Sequence, residues 1–173
     1  MIKFSLYIYF LIFSFNTYAQ EIGSETGYDI PRYVSLKSNQ VNLRVGSSKN
    51  YPIILKYVVK NYPIEIIDEF NSWRKISDFE NNIGWIHKAL LKSERFAIIL
   101  PNAKTSTEVY SKPKGVKVGT IGRRNIIKIN KCTLDWCHII FQNNYSWVPK
   151  NKLWGVYSNE EINLPFYQPN IGV

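Results

Sequence analysis

The chain repeats itself, and the repeat limits the folds open to it more tightly than any single motif does. Trp73-Arg74-Lys75-Ile76, Asn81-Asn82 and Gly84-Trp85-Ile86-His87-Lys88 recur in the same order as Trp136-Cys137-His138-Ile139, Asn143-Asn144 and Ser146-Trp147-Val148-Pro149-Lys150. Arg32-Tyr33 returns as Arg95-Phe96, Asn42-Leu43-Arg44 as Glu108-Val109-Tyr110, and Leu91 as Leu153. The spacing therefore runs from 62 residues (Trp85 to Trp147) to 66 (Asn42 to Glu108). A period of that length is one small structural unit used twice. Within each unit a strand opening on Trp leads into an Asn-Asn turn, where asparagine tolerates left-handed backbone, and returns on a strand with a second Trp.

The remaining apolar residues come in short runs, among them Tyr33-Val34-Ser35-Leu36, Ile53-Ile54-Leu55 and Ile64-Glu65-Ile66-Ile67, broken by Gly, Pro, Asn and Asp. Beyond the first residues no segment holds a helical period, which is the all-β signature. About five short strands in some 60 residues close most economically as a small barrel. The sequence thus predicts an all-β chain of two tandem small barrels at residues 32–93 and 94–156, with a polar leader (20–31) and a tail (157–173). Pro165 and Pro169 around Phe166-Tyr167 predict an extended, loosely ordered end, with docking of this apolar tail on a barrel as the alternative.

At the start, Lys3, an apolar run over residues 4–15 and Asn16-Thr17-Tyr18-Ala19 have the pattern of a secretory signal peptide, cleaved after Ala19 (residues 1–19). About 12 apolar residues fall short of the roughly 20 that span hydrocarbon. The expectation is a periplasmic or secreted protein with no stable membrane span after cleavage. Export makes an oxidised pair of Cys132 and Cys137, the chain's two cysteines. They flank Thr133-Leu134-Asp135-Trp136, a hairpin turn that brings their Cα atoms into disulfide range. A metal site would need two further ligands where only His138 is near, and a nucleophile would need a free thiol, so neither is expected.

Composition narrows the function classes. At 45% hydrophobic and 15% aromatic residues the chain is too apolar to be disordered. Two His, two Cys and no Gly-rich phosphate loop leave no base, nucleophile or metal cluster, so no enzyme and no cofactor are expected. The formal charge of +9 is uneven. Residues 101–154 hold ten basic side chains, Lys112, Lys114, Lys117, Arg123 and Arg124 among them, against Glu108 and Asp135, whereas residues 33–93 hold nine basic and five acidic ones. A basic second unit suits adhesion to an anionic polymer or surface. Nucleic acid fits the charge and the aromatics but conflicts with export.

Val41-Asn42-Leu43-Arg44-Val45-Gly46-Ser47-Ser48, then Tyr51-Pro52-Ile53, Trp73-Arg74-Lys75-Ile76 and Gly84-Trp85-Ile86 follow one another in the first unit. In this it resembles a bacterial SH3 domain: a strand with Asn-x-Arg, a Gly and small-residue turn, an aromatic-Pro, a lone Trp strand and a final Gly-Trp strand. The second unit is similar in its Trp strands and hairpin turn but has Glu108-Val109-Tyr110 and Ser146-Trp147 in place of two of these signatures. The resemblance implies SH3-like barrels and a non-enzymatic cell-envelope module recognising peptidoglycan glycopeptide or an extended peptide. The alternative is an adaptor that docks an envelope protein without polymer affinity. Candidate ligand-binding residues are Arg44, Tyr51, Tyr57, Trp73 and Trp136. Arg44 either holds the carbonyls of the following loop or touches ligand, and Tyr51 and Tyr57 line a groove or cover the barrel end. Trp73 and Trp136, just past turns, are expected at the groove, and Trp85 and Trp147 in the cores.

Overall fold

Alternate residues of a strand face opposite sides, and Val41 and Leu43, Ile127 and Ile129, and Cys137 and Ile139 show the buried, apolar side of such strands. The computed structural model describes residues 21–100 and 106–163; residues 1–19, expected to be a signal peptide, Lys104, and Pro165 to Pro169 of the tail lie outside the described residues. A small hairpin of β1 (Glu21–Ile22) and β2 (Asp29–Ile30) comes first. The first unit contains β3 (Arg32–Leu36), β4 (Val41–Arg44), β5 (Ile53–Tyr57), β6 (Pro63–Phe70), β7 (Trp73–Ser77), β8 (Ile83–His87) and β9 (Leu91–Lys92). The second contains β10 (Phe96–Ile99), β11 (Ser106–Tyr110), β12 (Lys117–Gly122), β13 (Ile126–Cys132), β14 (Trp136–Phe141), β15 (Asn144–Pro149) and β16 (Leu153–Trp154), and β17 (Ile162–Asn163) follows.

Sheet order is β5-β4-β8-β7-β6-β3-β9 in the first unit and β12-β11-β15-β14-β13-β10-β16 in the second, the same path twice. The protein is all-β, and each sheet curls around its own core as an SH3-like barrel does. Leu43, Ile64, Ile66, Ile76 and Ile86 are completely buried in the first, as are Ile129, Ile139 and Val148 in the second. Each such side chain contributes about 1.5–3 kcal/mol. The hairpin turns take the expected left-handed residues, with φ of 63° at both Asn81 and Asn143.

The leader and the described part of the tail each add to a barrel. Residues 23–28 sit on the first barrel, where Glu69 accepts from the amides of Glu25 and Thr26 and from the Thr26 hydroxyl. The described part of the tail is ordered by pairing. β10 covers β13 only as far as Lys128, and β17 takes up the free end through Lys131↔Asn163 and Cys132↔Ile162. Ile162 thereby joins the second core.

The barrels touch through aromatic rings. Trp154 meets Tyr33 edge-on at 5.2 Å and Phe79 at 5.7 Å, and Tyr33 packs on Tyr157 at 4.7 Å. The Tyr157 hydroxyl donates to Glu65 at 2.7 Å. Gly155, at φ +111°, lets the chain pass the first strand of barrel two: a Cβ there would lie 2.8 Å from the Phe96 carbonyl oxygen. Among the described residues no helix is long and apolar enough to cross a membrane.

Candidate functional site

Strand parity decides what each barrel shows to solvent. In β7 and β8 the inward positions are Arg74, Ile76, Gly84 and Ile86, so Trp73, Lys75, Trp85 and His87 point outward. Register sets Lys75 beside Trp85 and Trp73 beside His87, and Arg44 of β4 lies on the other side of Trp85. The result is a row Arg44, Trp85, Lys75 next to a Trp73–His87 pair whose rings meet edge-on at 5.4 Å. The second barrel repeats the face with different chemistry: Tyr110, Trp147 and His138 form the row, and Trp136 stands beside Pro149. Tyr110 meets Trp136 edge-on at 5.4 Å, and His138 lies between Trp147 at 5.0 Å and Tyr145 at 5.7 Å. The Lys131 ammonium sits 5.3 Å over the Trp147 ring. Burial, and then Lys131, push the His138 pKa down.

Trp85 and Trp147 are therefore half-buried members of the outward faces and not the core residues expected from sequence. The inward place beside Trp85 belongs to Gly84, where a Cβ would come within 2.7 Å of the Arg44 carbonyl and 2.8 Å of Leu43. β4 crosses too closely there for any larger side chain. Trp73 and Trp136 do lie on the outward faces.

Arg44 holds the loop: its guanidinium donates to the Tyr51 carbonyl at 2.7 Å. Tyr51 is about half exposed and its ring covers Gly46, so it belongs to the same end of the barrel as Arg44. Tyr57 is placed elsewhere. It is buried at 7% exposure, and its hydroxyl donates to Asp78 at 2.9 Å. Burial, and then the Asp78 charge and hydrogen bond, push its pKa up. Asp78 also accepts from the amides of Glu80 and Asn82, so the pair ties β5 to the Asn-Asn turn. Tyr57 borders a cavity of about 310 Å³ between the barrels, together with Leu55, Phe79, Ile98 and Arg124.

The five basic residues singled out in the second unit do not form one cluster. Lys112 and Lys114 lie in the β11–β12 turn with Lys117 at the start of β12, while Arg123 and Arg124 occupy the turn at its far end, about 20 Å away at roughly 3.3 Å per residue. Lys117 pairs with Glu108, and Arg124 reaches across to Glu80 of the first barrel, both at 2.9 Å.

Sequence reasoning passed over a buried charge group. Arg74 is 1% exposed and donates to the carbonyls of Asn71 and Trp73. Its Nε lies 3.4 Å from Glu69, which Arg32 also engages at 2.6 Å. Burial of Glu69 pushes its pKa up, but hydrogen bonds from Arg32, Thr26 and the Glu25 amide outweigh that and hold it below the usual carboxylate range. The second unit carries the expected bond: Cys132 and Cys137 are joined, with Cα atoms 4.1 Å apart. Among the described residues no group of three or more His, Cys, Asp or Glu side chains is placed to hold a metal ion.

Residues 37–93 match the model of the family described as Bacterial SH3 domain, the family that the motifs of the first unit resemble. Among solved structures, NlpC1 from Trichomonas vaginalis is similar at 15% identity and a TM-score of 0.32, over 76% of this chain and 48% of that one. NlpC2 from the same organism is 13% identical with a TM-score of 0.31, over 73% and 49%. An NlpC/P60 family protein from Bacillus cereus is 12% identical with a TM-score of 0.32, over 77% and 59%. The chain thus spans about half the length of the solved structures it matches. No curated protein matches it.

Proposed function

We propose that the chain is an exported, non-enzymatic binding module of the cell envelope that recognises peptidoglycan glycopeptide or an extended peptide on the outward faces of its barrels. The observation that carries this reading is the aromatic row repeated on both barrels, Trp73 and Trp85 on one and Trp136 and Trp147 on the other, each flanked by polar or cationic groups. Partly exposed indoles can stack on sugar faces and peptide backbones, and a ring N–H can donate to a polar partner. The match of residues 37–93 to a bacterial SH3 family supports an envelope ligand. Excess basic charge adds a long-range attraction to an anionic wall.

The test is co-sedimentation of the mature protein with isolated sacculi. We expect pelleting at low salt that weakens as salt rises, and loss of most of it in the Trp85→Ala/Trp147→Ala variant; absence of pelleting at low salt removes the polymer. A protein-docking adaptor is the second reading, favoured by the edge strand β5, which exposes Ile53 and Ile54 at 47% and 49%. An unpaired edge of that kind accepts a partner's strand. Crosslinking in cells separates the two: one discrete protein adduct favours the adaptor, and a smear carrying wall fragments favours the polymer.

A further inference from the structure

The same lysine has opposite surroundings in the two barrels. Short 3-10 turns at Lys88–Leu90 and Lys150–Lys152 follow the second Trp strand, anchored alike by Lys88 N to the Ser72 carbonyl (2.9 Å) and Lys150 N to the Asp135 carbonyl (2.8 Å). Lys88 is exposed, whereas Lys150 is 5% exposed and is the only buried lysine among the described residues. The chain after β16 makes the difference by folding back so that the Ser158 and Glu160 carbonyls accept from Lys150 Nζ at 3.2 and 2.6 Å.

An ammonium has three donors, and two carbonyls leave its charge uncompensated. None of the ion pairs among the described residues includes Lys150, and the Glu160 carboxylate is engaged by Arg95. Burying a cation without an anion is costly, so such a lysine is an anion-binding group waiting for its counter-ion. Lys150 and Ser158 form one wall of a cavity of about 410 Å³. Trp136, Pro149, Leu134, Leu153 and Val156 give it apolar walls, and Asp135 and Asn151 add polar groups at its border.

We propose that this cavity binds the free carboxylate end of an apolar peptide, the carboxylate meeting Lys150 and the terminal side chain lying against Trp136 and Pro149. Asp135 also borders the cavity and is exposed. Its charge selects against a second acidic group near the chain end. The site adds to the outward-face reading a ligand terminus that only barrel two would take.

The experiment follows the Trp136 indole N–H by NMR while the full mature chain is titrated with N-acetyl-dialanine and, separately, with its C-terminal amide. The acid should shift this resonance saturably and bind at least about tenfold more tightly than the amide, the equivalent of roughly 1.4 kcal/mol for the charge-assisted bond. Lys150→Met should bring the acid down to the amide, and Lys150→Arg should restore part of the difference. Equal affinity of acid and amide, or no saturable shift from either at millimolar concentration, overturns the proposal, and this comparison needs no variant to fold. Sacculus pelleting without an acid–amide difference removes the pocket alone. The difference without pelleting removes the wall reading and leaves the pocket.

Discussion

The register that sets Glu69 opposite Arg74 in the first barrel sets Cys132 opposite Cys137 in the second. Both pairs close the hairpin that leads into the outward Trp strand, so one position in the fold is cross-linked by charge in one copy and by a covalent bond in the other. The two solutions make different demands on their neighbours. A buried carboxylate must have its lone pairs satisfied, and the leader supplies Thr26 and two amides for that purpose. A disulfide asks for nothing polar, and the segment covering it is the apolar Ile162 of the tail. The leader and the described part of the tail are therefore matched to the two kinds of cross-link.

The largest effect that separates the barrels should come from Glu69→Ala. It leaves Arg74 and Arg32 without their carboxylate and should cost barrel one about 3–5 kcal/mol, read as a lower urea midpoint and as loss of exchange protection at the Glu25 and Thr26 amides. Adding Arg74→Met should recover part of that loss, because no buried charge is then stranded. Acid acts on the same group. A carboxyl whose folded pKa is depressed contributes stability that is complete above its ordinary value of 4.5 and is lost as pH falls through the folded one. Glu94, held down to about 2 by hydrogen bonds from Lys128 of barrel two and Lys92 of barrel one, ties the two barrels together, so its loss toward pH 2 weakens both. The window that separates them is the one below about pH 4.5 set by Glu69. In that window barrel one should unfold before barrel two, and simultaneous loss of the Trp85 and Trp147 signals would break the comparison.

Second in size is the disulfide. Cys132→Ser with Cys137→Ser should cost barrel two about 2 kcal/mol by loop entropy and leave barrel one unchanged. Thiol labelling of the mature protein, denatured without reductant, should find no free cysteine. Next come the outward indoles. Trp85→Ala should weaken ligand binding by more than about 1 kcal/mol while moving the urea midpoint of barrel one little; a loss of several kcal/mol of stability would return Trp85 to the core. The smallest effect belongs to His138, which has Lys75 as its counterpart. Its pKa is depressed, so the neutral ring is the one the fold prefers, and barrel two should lose a little stability as pH falls from above 6.5 through the folded value.

Local pattern carried the architecture. The Trp strands, the Asn-Asn turns and the cysteine hairpin were legible because each depends on neighbours within a few residues. What was not legible depends on distant ones. Glu69 reads as a turn residue, since Thr26 and Arg32, the groups that give it a role, lie 43 and 37 residues away. Trp154 closes its own barrel in sequence, yet its ring contacts are Tyr33 and Phe79 of the other. Trp85 reads as core from its mid-strand position, whereas the space behind it is set by the backbone of β4 and admits only glycine. The alignment of Glu69 with Cys132 was the one available signal for the buried ion pair, since a position cross-linked in one repeat calls for a cross-link in the other.

Trp154, lodged between Tyr33 and Phe79, has a consequence for ligands that repeat. With Tyr157 bonded to Glu65, it holds the two outward faces at one separation, which makes the pair of barrels a ruler. On the proposed reading, a polymer whose recognised groups recur at that interval would meet the second face at an effective concentration on the order of millimolar once the first is engaged. A polymer of any other period would engage one face at a time and gain no avidity.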